Sequence, residues 1–162
     1  MTSPGTGIRQ AEPADLESVR ACVRAAYAIY VPRMGREPAP MTADYEALIG
    51  RREVWVACED DTLAGVLVLR AGPDSLLLEN VAVTPAKQGR GIGQALIAFA
   101  EQHARDLGLP EVALYTNELM TENLHLYPRL GYVEIDRRVE DRHSRVHFRK
   151  RVGYQPSTPA SH

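Results

Sequence analysis

The chain is poor in the features that mark several large classes of protein. Its 162 residues include two cysteines, one tryptophan and two phenylalanines. The cysteines, Cys22 and Cys58, form neither a disulfide framework nor a metal-ligand spacing. We interpret both as small core residues and predict no metal site.

The sequence also lacks long apolar runs and an excess of positive charge. No run approaches the roughly 18 apolar residues that a membrane-spanning helix needs, and residues 1–7 lack the apolar core of a secretory signal. The formal net charge is −2 at pH 7, whereas general nucleic-acid and membrane binders depend on concentrated positive charge. We therefore expect no nucleic-acid or membrane partner, and a cytoplasmic location by default.

What the sequence does contain is an orderly series of strand and helix patterns. Its length and its apolar fraction of 44% fit one domain, which we place at residues 7–152, with disordered ends at 1–6 and 153–162. Strand patterns predict seven strands: Thr6–Gln10, Val54–Cys58, Leu63–Leu69, Leu76–Val83, Val112–Thr116 and a polar pair, Tyr132–Val139 and Arg145–Lys150. The run Leu76–Val83 is almost wholly apolar, which is typical of a strand buried on both faces.

Apolar residues at helical spacing predict four helices. They are one opened by Glu12-Pro13, one from about Thr42 to Ile49, one from Ile92 to Leu107 and one from about Thr121 to Leu130. Between the first two, Val31–Met41 contains three prolines and a glycine, so we expect this segment to be irregular.

A glycine-rich stretch, Gln88-Gly89-Arg90-Gly91-Ile92-Gly93, lies between a predicted strand and the helix that follows. The first N–H groups of a helix lack intrahelical partners and carry the positive end of the helix dipole. Glycine has no Cβ, so an anion can approach the backbone closely. The stretch is therefore a candidate phosphate-binding loop, although a plain turn between strand and helix is the alternative.

The spacing excludes two common phosphate loops. A nucleoside-triphosphate loop needs Lys followed by Ser or Thr after its last glycine, where this chain has Gln94-Ala95. A dinucleotide loop needs a third glycine at the position of Gln94. The remaining pattern is Gln-x-x-Gly-x-Gly.

This pattern resembles the pyrophosphate-binding motif of the GCN5-related N-acetyltransferases, which bind acetyl-coenzyme A (acetyl-CoA). A second stretch, Leu126-Tyr127-Pro128-Arg129-Leu130-Gly131-Tyr132, resembles the "lYekxGF" segment of the same family. The run Tyr115–Asn123 is similar to a bacterial subgroup whose substrates are mostly unassigned. The resemblance covers about residues 8–150. It implies the family's α/β (α+β) fold, a mixed central sheet of six to seven strands flanked by about four helices.

The resemblance also implies an acetyl-CoA site around the glycine-rich stretch, whose backbone would hold the pyrophosphate. The main-chain groups of Val81 and Val83 would meet the pantetheine arm as an added strand does. Met120 stands where the family frequently has an asparagine, so Asn123 or Asn117 is left for that contact. The full set of expected cofactor contacts is Val81, Ala82, Val83, Gln88, Gly89, Arg90, Gly91, Ile92, Gly93, Gln94, Asn123 and Tyr127.

Acyl transfer from a thioester to an amine needs two groups that handle protons. Tyr127 would hydrogen-bond or protonate the departing thiolate, and a tyrosine packed on the helix face is the alternative. Glu79, a carboxylate inside an apolar strand, is the candidate base, acting directly or through water. Its alternatives are a hydrogen-bonded structural carboxylate and a contact to the substrate ammonium. Neither cysteine has a recognisable base, so direct attack of the amine is expected.

Substrate choice is expected to depend on the first helix and the loop after it. The candidate substrate-binding residues are Tyr27, Tyr30, Arg33, Met41 and Glu79. A small-molecule or peptide amine fits them, but they do not name it. Two functions remain: an N-acetyltransferase, and a catalytically silent acyl-CoA-binding sensor or partner domain. The polar terminal strands can form an exposed edge for a homodimer.

Overall fold

A computed structural model of the chain describes residues 6–153. The predicted disordered ends, 1–6 and 153–162, lie outside this range except for Thr6 and Gly153. The strands are β1 Thr6–Gln10, β2 Val54–Glu59, β3 Thr62–Ala71, β4 Ser75–Val83, β5 Glu111–Asn117, β6 Val133–Glu140 and β7 His143–Arg151. The α-helices are α1 Leu16–Tyr27, α2 Tyr30–Met34, α3 Ala39–Thr42, α4 Tyr45–Gly50, α5 Ile92–Asp106 and α6 Thr121–Arg129. Short 3₁₀ turns cover Pro13–Asp15 and Pro85–Lys87.

The strands form one mixed sheet in the order β1-β2-β3-β4-β5-β7-β6. The pairs β1/β2, β2/β3, β5/β7 and β6/β7 are antiparallel, and β4/β5 is parallel. A parallel pair needs a long crossover connection, and α5 lies within that connection. The predicted α/β (α+β) class with a mixed sheet of six to seven strands is confirmed, and the sheet described here has seven.

The chain divides into two compact units. The first contains the residues up to Leu69 together with Glu79–Ile97, and the second contains Arg70–Leu78 together with the residues from Ala98 onward. The strand β4 and the helix α5 therefore each contribute to both units. The boundaries 7–152 for a single domain stay a prediction.

The core of the first unit is built on β3 and α1. All residues from Ala64 to Leu69 are buried, and α1 buries Val19, Cys22, Val23 and Tyr27 at helical spacing. The helix α5 lies close against β3 at Gly65, where an added Cβ would stand 2.9 Å from Leu96 Cδ1 and 3.2 Å from the Ala82 carbonyl oxygen. The position therefore has room for glycine only, because real Cβ contacts are longer.

The core of the second unit lies between β5, β7 and the end of α5. Val112, Leu114, Val146 and Phe148 are all buried, in cross-strand positions of the β5/β7 ladder or beside them. The β6/β7 hairpin turns through Asp141-Arg142, both in the left-handed region. A bulge between Glu134 and Asp136 interrupts the β6 register.

The structure corrects the prediction that Val31–Met41 is irregular. This segment, predicted irregular, contains α2 and α3, so residues 6–153 hold six α-helices where about four were expected. Proline is tolerated in the first turn of a helix, where its missing N–H has no intrahelical acceptor. The next helix begins at Tyr45 and not near Thr42, because Asp44 accepts a 3.1 Å hydrogen bond from the Ala47 N–H and caps it.

Burial along three elements also differs from prediction. In β4 the residues alternate between buried and half-buried, so this strand is not fully buried on both faces. Cys58 is half-buried, whereas Cys22 lies in the core as predicted. At the end of α5, Leu107 is 49% exposed, and Ala104 is buried instead. Across residues 6–153, no helix has both the length and the apolarity needed to cross a membrane.

Candidate functional site

The glycine-rich stretch forms a sharp loop directly before α5. Gly89 and Gly91 have φ values of 84° and 83°, in the left-handed region that only glycine adopts at low cost. The carbonyl of Gly91 accepts the 2.9 Å hydrogen bond from the Ala95 N–H that opens the helix. The following N–H groups lie in the first turn, where no intrahelical acceptor reaches them. The loop therefore presents backbone donors at the positive end of a 15-residue helix.

One carboxylate pairs with both Lys87 and Arg90 of this loop. Glu59, at the end of β2, lies 2.7 Å from Lys87 Nζ and 3.0 Å from Arg90 Nη1. The hydrogen bond from Lys87, together with the charges of both cations, lowers the pKa of the Glu59 carboxyl. An incoming anion would therefore compete with Glu59 for Arg90 and Lys87.

The end of β4 is fixed by side chains that reach its carbonyl oxygens. Gln88 Nε2 donates to the Val83 carbonyl at 3.0 Å, and the Val81 carbonyl oxygen lies 3.1 Å from the Tyr27 hydroxyl, whose single proton it shares with Asn80 Oδ1. Ala82, between them, is buried. A carbonyl oxygen has two lone pairs, so each can still accept a second donor.

A buried chain of hydrogen bonds connects β4 with α1 and with the proline-rich segment. The Tyr27 hydroxyl donates to Asn80 Oδ1 at 2.5 Å, and Asn80 Nδ2 donates to the Tyr45 hydroxyl at 2.9 Å. The Tyr45 hydroxyl in turn donates to the Pro40 carbonyl at 2.6 Å. Burial raises the pKa of Tyr45, so its phenol stays protonated and able to donate. The chain of bonds fixes the end of the proline-rich segment to β4.

Glu79 lies on the half-buried face of β4, together with Val81 and Val83. Its Oε2 oxygen is buried. Asn80 points to the opposite, buried face, as strand alternation requires.

The candidate substrate-binding residues of the first unit lie on three helices. The Tyr27 and Tyr30 rings are 6.1 Å apart, and the Arg33 guanidinium lies 5.0 Å from the centroid of Tyr30. Both tyrosines are buried, whereas Arg33 is exposed. Met41 is half-buried in α3, next to Pro40 of the hydrogen-bond chain. The structure thus brings Tyr27, Tyr30 and Arg33 into one cluster.

Tyr127 lies in the second unit, within an aromatic cluster. It is 4% exposed, meets Tyr132 edge-on at 5.7 Å and lies 5.9 Å from Phe148. The Tyr132 hydroxyl donates to Glu101 Oε2 at 2.9 Å, and Lys150 Nζ donates to both oxygens of the same carboxylate at 3.1 Å. This buried charge pair holds Tyr132, and Tyr132 in turn supports the Tyr127 ring.

The two asparagines considered for a cofactor contact are both engaged elsewhere in the second unit. Asn123, one helical turn before Tyr127, donates to Thr116 Oγ1 at 3.0 Å. Asn117 Oδ1 accepts from the Leu119 N–H at 2.9 Å and stabilises the turn before α6. Met120 is buried.

Several residues that contribute to these sites could not be identified from the sequence. Glu59 precedes Arg90 by 31 positions, and Tyr132 follows Glu101 by 31. Tyr27 and Asn80 are 53 positions apart. Such pairings leave no periodic signal, and only the unusual polarity of Asn80 and Glu101 among apolar neighbours could have suggested buried partners.

Comparison with known proteins places these features in a family. Residues 22–132 match the model of the acetyltransferase (GNAT) family. A mycothiol acetyltransferase of Thermomonospora curvata is 36% identical over 80 residues, which are 49% of this chain and 27% of that protein. The chain spans about half or less of the length of the curated relatives that it matches.

Solved structures share the fold at low sequence identity. The PaiA N-acetyltransferase of Thermoplasma acidophilum, determined with coenzyme A, has a TM-score of 0.75 and 18% identity, and the match covers 93% of this chain and 99% of that one. The ribosomal-protein-S18-alanine N-acetyltransferase of Escherichia coli has a TM-score of 0.76 and 19% identity, with 94% and 97% covered. These likenesses show the fold.

Proposed function

Because the chain belongs to the GNAT family of acetyltransferases, we propose that it transfers the acetyl group of acetyl-CoA to a primary amine. The acceptor is a small molecule or a peptide, and the amine attacks directly while both substrates are bound. The observation that carries the proposal is the loop before α5. There, two left-handed glycines and two cations surround the start of a 15-residue helix.

The residues of this loop fit a pyrophosphate. The backbone from Gln88 to Gly93, with Gln94 in the first helical turn, supplies N–H donors, and Arg90 adds a guanidinium that can grip phosphate oxygens in pairs. The main chain of β4 from Val81 to Val83 would hold the peptide-like pantetheine arm. Bound acetyl-CoA supplies a thioester, whose acetyl group is activated for transfer.

Glu79 is proposed to prepare the amine. An alkylamine has a pKa of about 10 and is mostly protonated at neutral pH, so its nucleophilic form must be generated. A carboxylate on the half-buried face of β4 can accept that proton, directly or through one water. Alternatively, the Glu79 carboxylate only binds the substrate ammonium, which loses a proton to solvent before its nitrogen attacks the thioester.

Tyr127 is proposed to assist the departing thiolate, and Asn123 to contact the cofactor. A phenol can donate a hydrogen bond to sulfur as charge develops there. The supporting observation is its position in the motif at 126–132, held by Tyr132 and Phe148.

The acceptor is proposed to meet the cluster on α1 and α2. The Tyr27 hydroxyl is already engaged with Asn80 and Val81, so this residue would offer its ring. Tyr30 and Arg33 would form the adjacent surface, with Met41 at its edge. A cytoplasmic location and a homodimer stay predictions of the sequence.

A silent acyl-CoA-binding domain is the second candidate. The burial of Tyr127 supports it, since a phenol 4% exposed within an aromatic cluster has the environment of a packing residue. The two functions differ in turnover. We would incubate the protein with acetyl-CoA and a panel of amines and follow the release of free thiol. Amine-dependent release supports the enzyme, and saturable acetyl-CoA binding without release across the panel supports the silent domain.

Paired variants then test the two proposed roles. Tyr127→Phe should lower kcat by about 100-fold or more and leave the acetyl-CoA Kd nearly unchanged. Tyr132→Phe removes a neighbouring buried hydroxyl but keeps the ring that packs against Tyr127, so it is the matched control, expected to lower stability and to change kcat far less. Glu79→Gln should lower kcat by a similar factor if it is the base, and raise the amine KM instead if it only binds the ammonium. Full activity of Tyr127→Phe would remove that residue from the mechanism.

A further inference from the structure

A depression of about 390 Å³ lies on one face of the second unit, among residues that the proposed reaction does not use. Its lining comes from β4, β5, β6, β7 and the turn between the last two. Leu77, Ala113 and Ile135 are apolar lining residues, and the charged side chains of the lining come from β6, β7 and the turn between them. The volume falls in the range of about 300–1,000 Å³ that small-molecule sites occupy.

Arg145 is the central charged group of this depression. Its side chain is only 14% exposed, and its guanidinium lies 4.5 Å from the centroid of the Tyr115 ring. The register places Arg145 opposite Asn117 and His147 opposite Tyr115, so the three side chains Tyr115, Arg145 and His147 project from the same face. Stacking on the tyrosine fixes the plane of the guanidinium.

The guanidinium of Arg145 forms long ion pairs and no short ones. Its Nη1 is 3.6 Å from Glu140 Oε1 and 3.9 Å from Asp141 Oδ2, beyond hydrogen-bond length. Within residues 6–153 its N–H groups donate no hydrogen bond. Leaving the donors of a largely buried guanidinium unused is costly, so the site favours an acceptor that enters the depression.

Glu140 is already committed to other donors. It lies 3.1 Å from His147 Nε2 and 3.6 Å from Arg138. The hydrogen bond from His147 lowers the pKa of Glu140, so the carboxylate is ionised at neutral pH and His147 Nε2 carries the proton. Because His147 holds Glu140, the Glu140 carboxylate stays 3.6 Å from Arg145 Nη1, and the paired N–H groups of the guanidinium can bind another acceptor.

We propose that this depression binds a small monocarboxylate with an apolar body, and that Arg145 is its anion-binding residue. A planar carboxylate matches two parallel N–H groups of a guanidinium. The facing charges are Arg138, Arg145 and Arg149 against Glu140 and Asp141, with His147 beside them. Arg138 and Arg149 pair with Asp136 and Glu111 outside the depression, which leaves the single guanidinium of Arg145 for one negative charge and disfavours the nearly two carried by a phosphate monoester. Leu77, Ala113 and Ile135 would contact the apolar body.

The binding test uses a matched pair of probes that cannot be acetylated. We expect 4-methylpentanoate to bind and to shift the NMR signals of the His147 ring, while 4-methylpentanamide, equal in shape and uncharged, binds at least about tenfold more weakly. Arg145→Gln should weaken binding of the acid by about tenfold or more, and Arg145→Lys, which keeps the charge without the fork, by less. Arg137→Gln is the control, because Arg137 is exposed on the same hairpin and pairs with Glu134.

Equal binding of acid and amide, or no binding of either, would overturn the proposal. So would an equal loss of binding in Arg137→Gln and Arg145→Gln. If Arg145→Gln does not fold, the acid-against-amide comparison on the unaltered protein still decides. None of these measurements needs catalysis, so their failure is distinct from a failure of the proposed acetyl transfer.

Two acceptors distinguish the sources of the carboxylate. If it belongs to the acceptor, a case that depends on the proposed function, Arg145→Gln should raise the KM of leucine by about tenfold and leave that of 3-methylbutylamine unchanged. If it belongs to a separate ligand, 4-methylpentanoate should bind with the same Kd in the presence of saturating acceptor. Either result supports a carboxylate site. If 3-methylbutylamine displaces 4-methylpentanoate and leucine does not, the depression binds an amine and not a carboxylate.

Discussion

The Tyr27 hydroxyl donates a 2.5 Å hydrogen bond to Asn80 Oδ1, and this bond orients the asparagine amide so that its Nδ2 meets Tyr45. All three residues are buried. A polar chain of this kind stabilises only when every member is satisfied, because one missing partner leaves a desolvated donor or acceptor.

Removal of one hydroxyl should therefore cost more than an average hydrogen bond. Tyr45→Phe leaves Asn80 Nδ2 without its acceptor and the Pro40 carbonyl without its donor. We expect a loss of about 1–3 kcal/mol in the free energy of unfolding, measured by urea denaturation. In the double variant with Tyr27→Phe the losses should not add, since both hydroxyls depend on Asn80. Simple additivity would mean that the two tyrosines act separately.

Gly65 should be intolerant of even one methyl group. Gly65→Ala places a Cβ 2.9 Å from Leu96 Cδ1 and 3.2 Å from Ile92 Cγ2, so these buried side chains or α5 itself must shift. The expected cost is about 1–3 kcal/mol from overpacking, seen as a lower Tm. Gly50→Ala is the control, because a Cβ there meets nothing within 4 Å. A Gly65→Ala protein as stable as the parent would show that α5 moves freely over β3.

Glu59 should restrain anion binding at the loop before α5. Glu59→Gln releases Lys87 and Arg90 from their shared carboxylate, so coenzyme A should bind about two- to fivefold more tightly, given the modest strength of exposed pairs. Its affinity should also depend more steeply on salt concentration. Calorimetric titration measures both effects. Asp61→Asn changes the net charge equally in the adjacent turn and should leave the affinity nearly unchanged; an equal gain there would indicate a general charge effect.

Asp15 should give the stability a defined dependence on pH. Arg9 donates hydrogen bonds of 2.8 and 3.0 Å to its carboxylate and lowers the pKa of Asp15 below the ordinary 3.8. Because the folded pKa is the lower one, the stabilisation is complete above about pH 4 and is lost as the pH falls through the folded value. Asp15→Asn should cost about 1 kcal/mol at pH 7, a figure reduced for the exposure of Arg9, and less at pH 3, below the ordinary 3.8.

A second variant checks that the pair is responsible. Arg9→Gln should remove the same acid-dependent part of the stability, measured by urea denaturation at both pH values. If Asp15→Asn and Arg9→Gln differ in their pH dependence, another donor holds the Asp15 carboxylate.

The strands and the longer helices could be predicted because their signals are local. The apolar alternation in β5 and the helical spacing in α1 and α5 each determine an element without reference to the rest of the chain. Glycine at positions 89 and 91 was equally informative, since a loop with φ near +80° needs that residue.

The remaining features depend on contacts that sequence spacing does not encode. The helices α2 and α3 are too short to show periodicity. Their prolines predict an irregular segment, but a helix tolerates proline in its first turn. The partners of Glu59 and Asn80 lie far away in the chain. The depression around Arg145 arises only when β5, β6 and β7 lie side by side, because each strand contributes one or two of its charged groups.

The bulge between Glu134 and Asp136 has a consequence for association. β6 ends the strand order of the sheet, and a terminal strand with regular, apolar alternation would be a template for adding further chains. Here the bulge disturbs the spacing of the outer N–H and C=O groups, and Glu134, Asp136, Arg137 and Arg138 crowd the middle of the strand with charge. The charges on either side of the exposed Val133 and Val139 therefore disfavour the addition of a further strand along β6.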